Sequence, residues 1–371
     1  MTTSLVAATG SVAGKHPLDP RGWSGSSAAL CLELQARGRL GGALGITAPP
    51  LLRAALLARS FHPDRARWRA RLAFEPRFRA ALTRRLQQRW RTGAEGDLLQ
   101  SGAYFDGPAA LAGRARAYAF HDGNLAVRLA SPYPLAGVSD RRIAQALAFE
   151  QALARRTDRI FTMSAWLARS FVADYGADPA RVHAIGGAIN WAAPPPAQPG
   201  KDHARPVLVF VGADFQRKGG LVLLAAFRAV RSRFPRAVLH IAGPVRLPAA
   251  SGPGVVHHGF LDKRALSALF REASLFVMPS LYEPFGIAPL EAMAHQLPAV
   301  VSGAWALAET VEDGVTGAHV PPGDADALAQ ILCGLLDEPE RLAHMGLAAR
   351  AAALSRFTWP AVVDRLEAKL A

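Results

Sequence analysis

Two acidic residues eight positions apart, Glu283 and Glu291, stand where an apolar stretch of the chain gives way to a loop. The stretch at 274–282 reads SLFVMPSLY, and Pro284 and Gly286 follow it. An apolar run of strand length before a Pro/Gly turn predicts a buried parallel strand, and open α/β sheets bind ligands at the carboxyl ends of such strands. A helix that begins there turns its unpaired N–H groups and the positive end of its dipole to the same edge, which suits a phosphate.

The two carboxylates add a second kind of recognition to that phosphate site. A carboxylate accepts two hydrogen bonds at once, so one Glu can hold a ribose diol while the other holds sugar hydroxyls beside the phosphate. Another apolar run, at 207–212, comes shortly before Arg217 and Lys218, and two cations at a strand's carboxyl end can neutralise a diphosphate as it leaves. This pattern predicts a nucleotide sugar as the ligand.

Three segments resemble the motifs of one enzyme family. EPFGIAPLE, at 283–291, resembles the E-x7-E signature of retaining glycosyltransferases with the GT-B fold, and especially glycosyltransferase family 4. VLVFVGADFQRKGG, at 207–220, is similar to that family's strand and phosphate-binding loop, and DGVTGAHVPPGDADALA, at 313–329, is similar to its late strand and turn. The resemblance implies an α/β fold of two Rossmann-like domains that face a central cleft, with a C-terminal helix that crosses back to the first domain.

The resemblance also implies an activity, the retaining transfer of a sugar from a nucleoside-diphosphate sugar to an acceptor hydroxyl. We expect a hexosyltransferase that acts in bacterial cell-envelope or exopolysaccharide glycan synthesis. Its expected acceptor is a glycan or a lipid-linked molecule. The sequence offers no convincing covalent nucleophile, and the resemblance implies that the leaving diphosphate accepts the acceptor's proton on the same face. Cations and helix amides can stabilise that diphosphate, so we expect no metal and no other cofactor.

Individual site residues follow from the same resemblance. Phe260 and Leu261 stand where the family holds the base, and Lys218 matches its Lys-Gly position. The family has an Arg directly after its Val-Gly pair, where this chain has Ala213, so we expect Arg217 to take that role. The implied catalytic residues are His121, Glu283, Arg217 and Lys218. The implied donor-binding residues are Gly25, Arg217, Lys218, Phe260, Leu261, Glu283, Phe285, Gly286, Ile287 and Glu291.

The first half of the chain carries a weaker set of candidates. PRGWSGSS, at 20–27, precedes a predicted helix and resembles the family's first loop, in which small residues admit the donor phosphate or the acceptor. His121 resembles the His that related enzymes place near the reacting sugar, with Asp122 able to orient its ring. We expect Trp23, Ser24 and Asp122 on the acceptor side. A Gly/Ser turn that only caps a helix, and a His with a structural role, are the competing interpretations.

The length of 371 residues predicts two domains, and alternating strands and helices predict a doubly wound sheet in each. A Pro-rich stretch near the middle of the chain is typical of a linker. We therefore predict an acceptor-side domain at 1–193 with a basic helical insertion at about 53–91, a linker at 194–206, a nucleotide-sugar-binding domain at 207–356 and a crossover helix at 357–371.

The formal net charge of +14 is concentrated at 53–91, where twelve Arg accompany only Asp64 and Glu75 as acids. Apolar residues recur there at helical spacing, which predicts one or two amphipathic helices, broken near Pro76. Two interpretations stay open. One is contact with an anionic membrane face or a polyanionic or lipid-pyrophosphate acceptor, and the other is a solvated face in a chain with 38 Arg among 43 basic residues. No recognition motif accompanies the charge, so we expect no specific nucleic-acid partner.

Half of the residues are apolar and 19% are charged, which fits a folded enzyme. Cys31 and Cys333 form no metal-ligand or redox spacing, and the first ten residues lack a basic n-region. We therefore expect a cytoplasmic protein, peripheral on the inner membrane face if 53–91 binds lipid. No G-x-G-x-x-G follows the first strand, which disfavours a nicotinamide oxidoreductase. A sugar phosphorylase, a sugar-nucleotide isomerase and a non-catalytic nucleotide-sugar-binding protein remain as alternatives to a transferase.

Overall fold

The chain folds into two compact units, one formed by residues 1–187 with 359–371 and the other by residues 188–358. Each unit has its own six-stranded sheet, in which all neighbouring strands run parallel. The predicted α/β class with two Rossmann-like domains is confirmed. The computed structural model describes residues 3–10, 16–133, 135–191, 193–198, 200–243, 246–247 and 251–370.

The sheet of the first unit consists of β1 (Leu5–Gly10), β2 (Leu40–Ile46), β3 (Asp97–Ser101), β4 (Ala117–His121), β5 (Arg159–Thr162) and β6 (Val182–Ala184). Their order across the sheet is β2-β1-β3-β4-β5-β6. The direction of winding reverses between β1 and β3, and ligands of such sheets bind in the crevice at that reversal.

Two of these strands differ from what the apolar pattern predicts. The apolar pattern favours a strand at 44–48, whereas β2 begins four residues earlier. The glycines in its sequence, LGGALGI, interrupt the alternation of apolar and polar residues. The pattern predicts no strand at β3, which reads DLLQS. Gln100 is buried there because its side chain bonds the Gly107 N–H at 3.1 Å and the Gly102 carbonyl at 2.9 Å, a tertiary arrangement that no local pattern contains.

Among the residues that the structure describes, eight α-helices of the first unit precede the second unit in the chain. They are α1 (Ser26–Ala36), α2 (Pro50–Arg59), α3 (Arg65–Ala73), α4 (Pro76–Arg91), α5 (Gly107–Leu111), α6 (Leu125–Leu129), α7 (Asp140–Arg156) and α8 (Ala165–Ala173). The basic segment forms three of these helices, α2 to α4, where the spacing predicts one or two. The predicted break near Pro76 is present, because Pro76 occupies the first position of α4.

The apolar face of the basic segment packs into the core of the first unit. Leu72, Phe78, Leu86 and Trp90 belong to a buried cluster that includes residues of β1 and β3. Nine of the twelve arginines at 53–91 are exposed on the other face. The helical apolar spacing therefore reflects packing against this unit, and only the arginine face is open to a partner.

The sheet of the second unit consists of β7 (Val207–Val211), β8 (Val238–Ala242), β9 (Val255–Gly259), β10 (Leu275–Met278), β11 (Ala299–Ser302) and β12 (Gly317–Val320). Their order is β12-β11-β10-β7-β8-β9, the doubly wound Rossmann order. The winding reverses between β7 and β10. The loops after these two strands carry Arg217, Lys218 and Glu283. These predicted donor-binding residues therefore lie in the loops at the switch point of the sheet.

The helices of the second unit are α9 (Gly220–Arg233), α10 (Lys263–Glu272), α11 (Ile287–Ala294), α12 (Leu307–Thr310), α13 (Ala325–Leu336) and α14 (Pro339–Arg356). Residues 188–206, which contain the predicted linker, lie with this unit. Pro199 of that linker falls outside the described residues.

The last helix, α15 (Trp359–Leu370), returns to the first unit, as the family resemblance implies. Arg37, just after α1, donates to Asp364 at 2.6 Å, to Glu367 at 3.1 Å and to the Pro360 carbonyl at 3.0 Å. Ala371 of the predicted crossover helix is not among the described residues. None of the helices in the described ranges has the length and apolar composition needed to cross a bilayer.

Candidate functional site

The loop between β7 and α9 brings Lys218 across the end of its own strand. Gly219 has a φ of +76°, and a Cβ at this position would overlap the Pro279 carbonyl oxygen at the end of β10. A Cβ at Gly212, directly after β7, would overlap the Lys218 side chain. These two glycines therefore allow the loop to approach β10 closely and leave room for the lysine.

Both predicted cations meet Glu283, which is only 6% exposed. The Lys218 Nζ lies 3.0 Å and an Arg217 terminal nitrogen 3.4 Å from the Glu283 Oε2. Arg217 also donates to the Tyr282 carbonyl at 2.7 Å, and its Nε bonds Asp214 at 3.0 Å. The buried carboxylate is thus held by two cations whose own positions are fixed by the loops after β7 and β10.

Glu291, in the second turn of α11, is also buried, with 4% of its surface exposed. Its carboxylate pairs with the Lys263 ammonium, which lies 5.3 Å from the centre of the Trp191 ring. Burial raises the pKa of Glu291, and the ammonium of Lys263, the indole of Trp191 and the ammonium of Lys218 oppose that rise. Glu283 and Glu291 are therefore both buried carboxylates with cationic partners, Lys218 and Arg217 for Glu283 and Lys263 for Glu291.

The start of α11 lies in the loop that carries Glu283. Gly286 caps the helix with a φ of +93°, and a Cβ there would lie 2.6 Å from the Leu307 side chain. Phe285 is 4% exposed, so its ring belongs to the core and only its backbone can face a ligand. Ile287 is partly exposed as the first helical residue. The free N–H groups of this helix start are available to an anion beside Glu283.

The loop between β9 and α10 carries the two predicted base-binding residues. Phe260 is 85% exposed, and Leu261 is partly buried. Asp262 then caps α10 by accepting the Ala265 N–H at 2.8 Å, which places Lys263 at the first helical position. Phe260 thus presents an open aromatic ring three residues before the lysine that pairs with Glu291.

The first unit holds its own cluster of predicted residues. Trp23, Ser24 and Gly25 precede α1 with three successive positive φ angles of 50°, 53° and 88°. The Trp23 ring meets Phe120 of β4 edge-on, with 6.1 Å between ring centres. Two adjacent non-glycine residues in this conformation are uncommon, and such strain concentrates at functional sites.

His121 ends β4, next to the residue that Trp23 contacts. It is 5% exposed and lies 4.9 Å from the Phe171 ring, between ring centres. It also lines a small cavity with Glu150. Burial lowers the pKa of His121 to about 4, so the imidazole is neutral at pH 7. Asp122 follows, partly exposed.

Comparison with known proteins agrees with this arrangement of sheets and loops. Residues 205–338 match the family model described as Glycosyl transferases group 1. Residues 205–338 are therefore similar to a group 1 glycosyltransferase domain. The match spans β7 to α13 and includes Arg217, Lys218, Glu283 and Glu291.

Solved structures agree over nearly the whole chain. Sucrose-phosphate synthase from Thermosynechococcus elongatus has a TM-score of 0.75 at 18% identity and covers 98% of each chain. Anabaena Alr3699/HepE in complex with UDP-glucose has a TM-score of 0.63 at 19% identity and covers 98% of this chain and 99% of its own. The chain therefore has the GT-B fold.

Curated relatives match a smaller part of the chain. Alpha-maltose-1-phosphate synthase of Mycolicibacterium smegmatis is 28% identical over 245 residues, which cover 58% of this chain and 63% of the relative. The chain thus spans less than two thirds of the length of this relative.

Sequence reasoning missed Lys263 and Trp191 as neighbours of Glu291. Lys263 carried a local signal, because a cation at the first position of a helix opposes the helix dipole and calls for an acidic partner. Trp191 carried no such signal, because it lies outside the matched residues 205–338 and comes close to Lys263 only in the folded chain.

One Asp-x-Asp spacing begins α13 of the second unit, at Asp324 and Asp326. Asp324 serves as the helix cap by accepting the Ala327 N–H at 2.8 Å. Across the described residues, no three His, Cys, Asp or Glu side chains come together as a metal-binding group.

Glu291→Gln is expected to weaken binding of the nucleoside diphosphate by about 10- to 100-fold, because a hydrogen bond to a charged group contributes about 1.5–3 kcal/mol. The fold should persist, since the Lys263 side chain is 53% exposed and can turn to water. Isothermal titration calorimetry measures the change. Glu272→Gln, an exposed acid on α10, is the control, and equal affinities of the two variants would contradict the role of Glu291.

His121 should also make the first unit sensitive to acid. Its pKa is about 4 in the folded protein against 6.5 ordinarily, so between these values the unfolded chain binds more protons and stability falls as pH falls. We expect His121→Phe to reduce the loss of unfolding free energy between pH 7 and pH 4.5 by about 2 kcal/mol. Urea titrations at both pH values measure it, and an unchanged pH dependence would contradict the buried neutral imidazole.

Proposed function

We propose that the protein is a retaining glycosyltransferase that moves a hexose from a nucleoside-diphosphate sugar to an acceptor hydroxyl. The observation that carries this proposal is the contact of Lys218 and Arg217 with the buried Glu283. These residues lie in the loops after β7 and β10, at the switch point of the second sheet, and Glu291 lies in the helix that follows. A nucleoside-diphosphate sugar contains a diphosphate, a ribose and a hexose. Cations can bind the diphosphate, and two carboxylates can accept hydrogen bonds from the ribose and the hexose.

In the proposed reaction the diphosphate of the donor takes Arg217 and Lys218 as its partners. Glu283 is then free to accept hydrogen bonds from the sugar hydroxyls, and Glu291 accepts them from the ribose diol. The cations stabilise the negative charge that grows on the leaving diphosphate, which receives the acceptor's proton on the same face. Because the side chains supply this charge, we propose that the reaction needs no metal, and turnover in EDTA tests that point.

We further propose that His121 is a residue of the transfer reaction. Its neutral imidazole can donate or accept a hydrogen bond. Trp23, Ser24 and Asp122 are proposed for the acceptor side, because the strained Trp23–Gly25 turn lies beside the strand that ends at His121. Gly25 is proposed to admit the donor phosphate there.

The comparisons support a nucleotide sugar as the donor class, since HepE is described in complex with UDP-glucose. A glycan or a lipid-linked saccharide is the proposed acceptor class. The nine exposed arginines at 53–91 suit a peripheral contact with the cytoplasmic side of an anionic membrane. Such a contact fits the proposed role in bacterial cell-envelope or exopolysaccharide synthesis. Co-sedimentation with phosphatidylglycerol vesicles, and its loss in salt, tests this contact.

The deciding experiment screens glucose, galactose, mannose and N-acetylglucosamine conjugates of UDP, ADP and GDP for release of the nucleoside diphosphate. Release that depends on an acceptor, with the anomeric configuration kept in the product, supports a retaining transferase. Release that requires inorganic phosphate indicates a phosphorylase. Isomerised nucleotide sugar indicates an isomerase, and tight binding without turnover indicates a non-catalytic binding protein.

A further inference from the structure

The loop after β11 holds a tryptophan in a conformation that suits glycine. Trp305 has a φ of +54°, in the left-handed region where bulky side chains are rare. A backbone strained in this way persists only where the surrounding structure holds it, and such positions cluster at ligand sites. The side chain at this position therefore needs an explanation beyond local preference.

The loop that carries Trp305 is tied to the loop that carries Glu283. The Ser302 hydroxyl donates to the Ser280 carbonyl at 2.6 Å. Leu307, directly after the Trp305 loop, packs so close to Gly286 that a Cβ on the glycine would lie 2.6 Å away. The two loops thus form one packed body at the carboxyl edge of β10 and β11.

The Trp305 ring packs against the residue that precedes the predicted sugar-binding Glu283. It meets the Tyr282 ring edge-on, with 6.0 Å between ring centres. Tyr282 precedes Glu283, and its carbonyl accepts the Arg217 guanidinium at 2.7 Å. Tyr282 is 3% exposed, whereas Trp305 is partly exposed. The tyrosine is therefore the buried support, and the tryptophan offers ring surface to the outside.

A planar apolar surface and a carboxylate on two loops that pack together match the chemistry of a pyranose. The C–H face of such a sugar is apolar and packs against an aromatic ring, while its hydroxyls point outward to hydrogen-bond acceptors. Epimers differ in which C–H groups share a face, so a fixed ring distinguishes them. Trp305 can supply the flat wall and Glu283 the acceptor.

We propose that the Trp305 side chain forms one wall of the subsite for the transferred sugar and determines which hexose is accepted. This inference rests on the proposed function, because it takes a nucleotide sugar as the ligand. It adds a specificity-determining residue that acts through its side chain.

Trp305→Gly is the variant that tests the wall. Glycine adopts the left-handed backbone without strain, so the loop should keep its course while the ring is lost. We expect the dissociation constant of the nucleotide sugar to rise about 10-fold, by the size of a typical aromatic contact, while that of the matching nucleoside diphosphate stays within about two-fold. The pair of probes is the best UDP, ADP or GDP conjugate of the screen and its free diphosphate.

Two further variants separate the ring from the backbone. Trp305→Ala also removes the ring but keeps the strained conformation, so its melting temperature should be below that of Trp305→Gly. Trp305→Phe keeps an aromatic ring and should recover most of the nucleotide-sugar affinity. The preference of kcat/KM for glucose over galactose conjugates should narrow in the glycine variant and not in the phenylalanine variant.

The outcomes distinguish the two levels of the proposal. If the unsubstituted protein binds none of the three diphosphates, the proposed function itself fails. If it binds them but Trp305→Gly leaves nucleotide-sugar affinity and hexose preference unchanged, the wall is overturned and the proposed function stands. Equal weakening of diphosphate and nucleotide sugar would also overturn it, since that result describes a loop that has moved.

Discussion

Lys218→Ala is expected to lower kcat by roughly 100- to 1,000-fold, the cost of removing one donor aimed at charge that develops in a transition state. The Lys218 Nζ lies 3.0 Å from the Glu283 carboxylate, in the loop at the end of β7. The fold should survive, because Arg217 still compensates Glu283 at 3.4 Å. Steady-state release of the nucleoside diphosphate at saturating donor measures the effect.

Two companion variants show whether the loss is specific to this position. Lys369→Ala removes an exposed cation from α15 and should leave kcat unchanged. Lys218→Arg keeps the positive charge, but its guanidinium is bulkier than the ammonium of lysine and the side chain at this position packs closely against Gly212. This variant should therefore recover turnover only in part. Full turnover by Lys218→Ala would remove the lysine from the mechanism.

Gly219→Ala is expected to lower the free energy of unfolding by about 3 kcal/mol. Its Cβ would overlap the Pro279 carbonyl oxygen, and the φ of +76° penalises any side chain. Neither the carbonyl nor the strand end can move without disturbing β10, so relief has to come from the loop that holds Arg217 and Lys218. Urea denaturation followed by circular dichroism measures the loss of stability.

Gly334→Ala provides a matched control of opposite sign. Gly334 lies exposed within α13, and a Cβ there would meet open space. Alanine should therefore raise the stability of this helix by about 0.5–1 kcal/mol. Equal stability of the two variants would contradict the close approach of the β7–α9 loop to β10. Turnover by Gly219→Ala should also fall, because the displaced loop carries both cations.

The strands and helices around the candidate site of the second unit could be predicted closely from sequence, and those of the first unit less well. The elements around Glu283 are an apolar strand, a Pro/Gly turn and the start of a helix. Each is short and regular, so the residues of the element itself are enough to predict it. In the first unit, β3 contains Gln100, whose burial depends on partners seven and two residues away in a folded loop. Periodicity records which residues are apolar, and it cannot record a polar residue satisfied by tertiary contacts.

The basic segment shows the same limit in another form. Its spacing predicts amphipathic helices whose apolar side has an unknown partner. The structure packs that side into the first unit's own core, with Phe78 and Leu86 fully buried, and leaves nine arginines outside. The spacing of apolar residues along a helix gives the direction of its apolar face but does not identify what covers that face. Whether the arginine face binds a membrane stays a prediction.

The sequence by itself determined the alternation of strands and helices, the GT-B architecture through its three motifs, and the identity of Arg217, Lys218, Glu283 and Glu291 as candidates. These properties depend on residue type and on spacing within one or two elements. The tertiary structure alone decided that Lys218 pairs with Glu283, that Lys263 pairs with Glu291 and lies over the Trp191 ring, and that Trp305 stands beside Tyr282. Each of these contacts joins segments distant in the chain, and the order of strands in a parallel sheet is what brings their loops to one edge.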